Sequence, residues 1–191
     1  MIVGITGGIG SGKSTLSEKL RTAGYAVFDS DSVARKLQNE NAEMRQQIMA
    51  LFGTDAYRNN ELDRKHISGI VFKNQELLQQ LNQIVHPAVR ANFLEWKQKH
   101  SHHNLLFLES ALLLESNFYN LVHKIILVTA PLPVRVQRVM LRDNISEQQV
   151  LDRIKNQLSD NEMASKSHVI IDSGLIDLRE LDVQLVLSQL L

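Results

Sequence analysis

The chain contains no cysteine, which excludes disulfides, thiolate metal centres and cysteine nucleophiles together. Proline is scarce, at positions 87, 131 and 133 only, so no proline-rich linker or polyproline tract interrupts the chain, and no repeat or low-complexity segment is visible. Neither sign of charge is in excess. The 21 Lys and Arg residues balance 21 Asp and Glu residues, so no broad polyanion-binding surface is expected, nucleic acid is not an expected partner, and any anion site must be local. Long apolar runs are also missing. The opening "MIVGIT" has no basic leader and meets glycines at once, so neither a signal peptide nor a membrane span is expected, and the expected location is the cytoplasm. A length of 191 residues suits one sizeable core carrying insertions.

What is present begins with "GITGGIGSGKSTL" at residues 4–16. Gly7 to Ser14 fit G-x-x-x-x-G-K-(S/T), the phosphate-binding loop. Its glycines let backbone N–H groups converge on phosphate oxygens, and the helix that follows turns its positive end to the same anion. Gly8, Ile9, Gly10, Ser11, Gly12, Lys13, Ser14 and Thr15 are therefore the expected nucleotide-binding residues. Lys13 reaches the β- and γ-phosphates, and the Ser14 hydroxyl ligates Mg²⁺. The context agrees, because an apolar strand at 2–6 precedes the loop and a helical pattern with Leu16, Leu20 and Ala23 follows it.

Four further apolar strands are expected at 25–29, 104–110, 124–130 and 168–174, with a closing helix over about 177–190. Short strands alternating with helices predict an α/β fold with a doubly wound, five-stranded parallel sheet. Residues 33–102 break the rhythm and read as helices with no convincing strand, for example "NQELLQQLNQIVH". An all-helical insertion of this kind is a natural place for a second substrate. A second polar helical stretch, 135–157, lies between the last two strands. The expected organisation is one domain, with a core of about 1–32, 103–134 and 158–191 that carries the two helical insertions.

The loop alone leaves open where the terminal phosphate goes. No guanine-reading N-K-x-D run is present, and the strand "LLFLE" ends in Glu109 rather than the Asp or Asp-Glu of a motor or transport ATPase. Instead "FDSDS" at 28–32 stands at a strand's carboxyl end, where doubly wound sheets gather ligands. A carboxylate there accepts or orients the proton of an attacking hydroxyl. Asp31 reads equally well as a first-turn acid favoured by the next helix's dipole.

The succession "GITGGIGSGKS", "FDSDSVARKL", "ELDR", "LNQIVHPAVR", "ALLLE", "RVMLRDNIS" and "RIKNQ" resembles the dephospho-coenzyme A kinase family over nearly the whole chain. That resemblance implies a P-loop kinase-type fold with a helical substrate domain and a helical lid. It implies transfer of the ATP γ-phosphate to the ribose 3′-hydroxyl of dephospho-CoA, with Mg²⁺. By position, Asp31 matches the family's general base and Asp29 the acid that supports it. Arg64, His86 and Arg90 match acceptor-binding or acceptor-domain positions, and a diphosphate suits Arg64 and Arg90. Arg138 and Arg142 match the lid pattern R-x-x-x-R-D, whose arginines offset charge in the transition state. Arg135, Arg138 and Arg142 share a helix face by spacing, and a solvated face explains such a run as well. The pair His86-Pro87 also reads as a helix boundary.

The chain departs from the family pattern at Ala111, where proline is usual, and at Met163, Ser167, His168 and Asp172 near the end. Glu109 and Glu115 are candidates for contacts to metal-bound water or substrate. His100, His102 and His103 are expected in a solvated loop, and Phe93 and Trp96 at an interface or in the core. Kinases for another small acceptor, such as a nucleoside monophosphate, and a nucleotide-dependent switch protein are the alternatives. Monomer and small homo-oligomer both remain open.

Overall fold

The computed structural model describes residues 1–72, 74–116 and 118–190. The chain begins with β1 (Ile2–Thr6), and α1 (Lys13–Thr22), β2 (Ala26–Asp29), α2 (Ser30–Glu40) and α3 (Ala42–Phe52) follow. Next come β3 (Tyr57–Arg58), β4 (Glu61–Leu62), α4 (Arg64–Val71) and α5 (Gln75–Lys99). The remaining elements are β5 (Leu106–Glu109), β6 (Lys124–Thr129), α6 (Leu132–Asp143), α7 (Glu147–Ile154), α8 (Asp160–Ser165), β7 (Val169–Asp172) and α9 (Val183–Ser188). The main sheet has five strands, all parallel, in the order β2-β5-β1-β6-β7.

β1 is buried along its whole length, as "IVGIT" requires of a central strand covered on both faces. The next two sheet strands in sequence, β2 and β5, fall on one side of it and the last two on the other. The strand order thus reverses at β1, and its carboxyl end opens into the crevice where doubly wound folds bind ligands. On one face, Val3, Ile5, Phe107, Ile126, Val128, Val169 and Ile171 pack against Leu16 and Leu20 of α1 and Val183, Val186 and Leu187 of α9. That packing seats α1, and with it the loop between β1 and α1.

The chain divides into two compact units, residues 1–29 with 97–191, and residues 30–96. The second unit has its own core, including Met44, Ile48, Leu62, Ile67, Leu81, Val85 and Phe93. It departs from the sequence expectation twice. The segment expected to hold no strand contains the antiparallel pair β3–β4. Its turn, Asn59-Asn60, has φ of 51° and 66°, and asparagine tolerates this left-handed geometry better than other side chains. Second, His86-Pro87 is no helix boundary: α5 continues through Pro87, although the ring removes one backbone hydrogen bond. Buried Leu81, Val85, Val89 and Phe93 form one stripe across the proline, so packing overrides the local cost.

Two other expectations are redrawn in the larger unit. The stretch 135–157 is two helices, α6 and α7, separated by Asn144 with φ 51° and restarted by a Ser146–Gln149 capping box. The closing helix is shorter than 177–190. Asp177 accepts the Arg179 backbone N–H at 2.9 Å and holds a turn, and Asp182 caps α9 through the Gln184 N–H.

Candidate active site

Gly12, with φ 97°, is the N-cap of α1 and turns the chain from the loop into the helix. Lys13 is the first helical residue and is buried. Its ammonium donates to the carbonyls of Gly7 at 2.7 Å and Gly8 at 3.3 Å, so it lies across the loop's mouth rather than out in solvent. Ser14 and Thr15 stand exposed in the first turn of α1. Ile9 packs its side chain with Val136, Val139 and Val150, while its N–H donates to Gln157 Oε1 at 2.9 Å. Ser11 is buried, and its carbonyl accepts the Ser173 hydroxyl at 2.7 Å. Gly8 to Thr15 thus form one cradle at the carboxyl end of β1, as the motif predicts.

Asp29 ends β2 and Glu109 ends β5, and the two are register partners. Glu109 also pairs in register with Ile5 of β1, and it is buried. Two carboxylates therefore stand side by side at the strand ends next to the loop. Asp31 lies two residues beyond β2, in the first turn of α2, at the start of the unit 30–96.

Arg138 donates to the Ser173 hydroxyl at 2.8 Å, the Ser173 carbonyl at 3.0 Å and the Gly10 carbonyl at 3.3 Å. It lines a cleft of about 520 Å³ with Gly12, Thr15, Gly174, Leu175 and Ile176, beside the phosphate loop. Arg142 is engaged elsewhere. Its guanidinium grips Asp143 at 2.7 and 3.1 Å, and this pairing raises the Arg142 pKa and lowers that of Asp143, which also accepts from Arg153 at 2.7 Å. The face shared by the three arginines is not uniformly solvated: Arg135 is buried at its start, whereas Arg142 is exposed at its end.

In the unit 30–96, Arg64 opens α4 and donates to Gln38 Oε1 at 3.1 Å and to the Arg35 carbonyl at 3.2 Å. Partial removal from water lowers its pKa first, and the charge of Arg35 adds to that. His86 and Arg90 are one turn apart on α5. His86 is half-buried, and desolvation lowers its pKa, whereas Arg90 is exposed.

The departures sort by place. His168 lies at the amino end of β7, the end of the sheet opposite the phosphate loop, where its Nδ1 accepts the Ile125 N–H at 3.2 Å. Met163 is a buried core residue. Asp172 accepts the Gly174 N–H at 2.8 Å and shapes the last loop, and Ala111 offers its carbonyl to Gln157. Glu115 accepts the Leu158 N–H at 3.1 Å, a structural bond. The histidines at 100–103 cluster ring on ring, the closest pair at 4.2 Å. No group of three or more His, Cys, Asp or Glu side chains suited to a metal is gathered among the described residues. Phe93 is fully buried and stacks on Trp96.

Sequence reasoning left Gln157, Ser173 and Arg135 out of the site. Gln157 closes the quoted "RIKNQ" and Ser173 follows the last strand directly, which are the signals available for those two.

Strand order, phosphate loop, buried lysine and strand-end carboxylates together define a P-loop kinase. The sequence profile of the dephospho-CoA kinase family matches residues 1–177. The dephospho-CoA kinase of Fusobacterium nucleatum is 38% identical over 175 residues, covering 91% of this chain and 90% of that one. Among solved structures, TT1252 from Thermus thermophilus superposes with a TM-score of 0.81 at 35% identity, covering 100% of this chain and 98% of that chain. A dephospho-CoA kinase from Campylobacter jejuni superposes with a TM-score of 0.68 at 29% identity, covering 98% and 96%. The chain belongs to the dephospho-CoA kinase family.

Proposed function

We propose that this family member transfers the γ-phosphate of ATP to the ribose 3′-hydroxyl of dephospho-CoA by direct in-line displacement, yielding coenzyme A and ADP. The observation that carries the reading is the loop Gly7–Ser14 with Lys13 laid across its mouth, beside the carboxylates of Asp29 and Glu109. The loop residues Gly8 to Thr15 hold the triphosphate through backbone N–H groups, although that of Ile9 is taken by Gln157 and that of Ser11 by the Gly8 carbonyl, and Lys13 exchanges its loop carbonyls for β- and γ-phosphate oxygens. Arg138, in the cleft, holds the nucleotide side. Arg142 joins it only by releasing Asp143.

Asp31 takes the proton of the attacking hydroxyl, and Asp29 keeps the local environment polar. Arg64, His86 and Arg90 serve the acceptor in the unit 30–96, with the arginines toward its diphosphate. Closure of the 135–157 segment keeps water from the γ-phosphate.

The donor set suits Mg²⁺, which keeps most of its waters and needs few protein ligands. The exposed Ser14 hydroxyl would supply one hard oxygen, and the neighbouring strand-end carboxylates of Asp29 and Glu109 would offer acceptors for metal-bound water. Mg²⁺ held there would offset negative charge on the β- and γ-phosphates.

A cytoplasmic location fits this soluble chemistry, and no helix among the described residues is long and apolar enough to cross a membrane. The test is ADP release with Mg-ATP, in the presence and absence of dephospho-CoA, AMP and adenosine. Stimulation by dephospho-CoA alone, with coenzyme A recovered, supports the reading. Stimulation by AMP or adenosine keeps a kinase and discards the acceptor. Slow release indifferent to every acceptor discards the kinase reading.

A further inference from the structure

Arg135 enters none of the roles above, yet it is the most deeply buried arginine at the phosphate loop. Its side chain is 6% exposed, and Nη2 donates to Asp160 Oδ2 at 3.1 Å, the carboxylate being 43% exposed. Nε is buried with no partner in the protein. Nη1 lies against Gly8 so closely that a Cβ built there would sit 1.8 Å away. The Arg135 backbone flanks the next glycine of the loop: a Cβ on Gly10 would meet the Arg135 carbonyl oxygen at 2.5 Å. Gly8 and Gly10 are therefore bare where the loop bends around this one residue.

A buried guanidinium with a single carboxylate partner is a poor device for holding a fold, because stranded donors cost free energy that an apolar side chain of similar volume would not. Such a group is kept where its position matters. The segment after α7 grips the same bend at a second point, since Gln157 accepts the Ile9 N–H. Asp160, the first residue of α8, is set by the Ser159–Glu162 capping box. The chain 157–160 thus holds the loop twice, directly at Ile9 and through Arg135 at Gly8.

We propose that Arg135 is a positioning residue for the nucleotide. Pinned by Asp160, its guanidinium holds the Gly8–Gly10 bend in the shape that aims the loop N–H groups at the triphosphate. It acts on ATP through the loop and has no part in acceptor recognition. The inference rests on the kinase reading only for the second substrate, because ATP affinity is measured without an acceptor.

The experiment uses the full chain with Arg135→Gln, Arg135→Lys and Asp160→Asn. Mg-ATP dissociation constants come from calorimetry, KM for each substrate from steady-state kinetics, and folding from the thermal midpoint. Arg135→Gln should weaken Mg-ATP binding ~10-fold, the scale of one charged hydrogen bond, and raise KM for ATP in step. KM for dephospho-CoA should stay within about twofold. Arg135→Lys should recover part of the loss, and Asp160→Asn should show a smaller loss of about threefold, since the guanidinium remains but is held by an uncharged acceptor. If Arg135→Gln fails to fold, the other two variants decide the matter by the same readouts. ATP affinity within twofold of the parent in folded variants overturns the proposal, whatever the thermal midpoint does. So does an equal rise in both KM values. Parent protein that binds ATP but ignores dephospho-CoA would sink the acceptor assignment and leave the Arg135 test standing.

Discussion

At the scale of single residues, the proposed site depends on Lys13 at the loop and on Asp31 after the second strand. Lys13 is buried at the loop's mouth, held by two loop carbonyls. Lys13→Ala should weaken Mg-ATP binding by ~10–100-fold and depress turnover, measured by calorimetry and ADP release. Unchanged affinity would mean that the loop does not bind the triphosphate. Asp31→Asn isolates the proton-accepting role, because asparagine keeps the size and hydrogen-bonding of the first turn of α2 but not its basicity. ATP affinity should hold while turnover falls by ~10²–10⁴-fold. A variant that turns over normally would return Asp31 to the part of a helix-dipole acid. Both residues were legible in the sequence, since a motif and a strand end located them. Arg135 was not, because its burial depends on Gly8 and on Asp160, 25 positions away.

At the scale of elements, turn chemistry and long-range packing divided the outcome. The β3–β4 hairpin rests on Asn59 and Asn60 in the left-handed region. Asn60→Ala should destabilise the unit 30–96 by about 1 kcal/mol and Asn60→Gly should not. The single tryptophan, Trp96, at the end of this unit gives a fluorescence signal for denaturant titration. Equal midpoints for the two variants would show that the turn carries no strain. Two strands of two residues each are too short for periodicity to reveal, so the Asn-Asn pair was the only available signal. α5 shows the opposite failure, where a strong local signal at Pro87 is overruled by a buried stripe running through it.

At the scale of the whole molecule, stability should carry a pH dependence from His86. Desolvation holds its folded pKa below the ordinary 6.5, so between those two values the unfolded chain binds the proton that the folded chain resists. This contribution is complete above pH 6.5 and is lost as pH falls below it toward the folded value. His86→Gln should therefore shrink the drop in denaturation midpoint between pH 7.5 and 5.5, followed through Trp96. A drop of the same size in the variant would show that the imidazole is not held neutral. Asp177 adds a loss at much lower pH, since its bonds to Arg179 hold it near a pKa of about 2. Its contribution is present above the ordinary carboxylate value of 3.8 and disappears as pH falls through about 2.

The amino-acid sequence by itself determined the phosphate loop, the five parallel strands and the kinase family. Each of these is written in local terms: glycine spacing, β-branched runs, turn residues and an ordered succession of short motifs. Only the tertiary structure decided that Ser173 bonds Ser11 and that Arg138 joins the last loop to Gly10. It also decided that Arg135 lies under the glycine bend. The Ser173–Ser11 bond spans 162 positions, and no periodicity encodes such a distance. Which donor meets which acceptor there follows from close packing of β1, β6, α6 and the loop after β7, and that packing exists only once the sheet has formed.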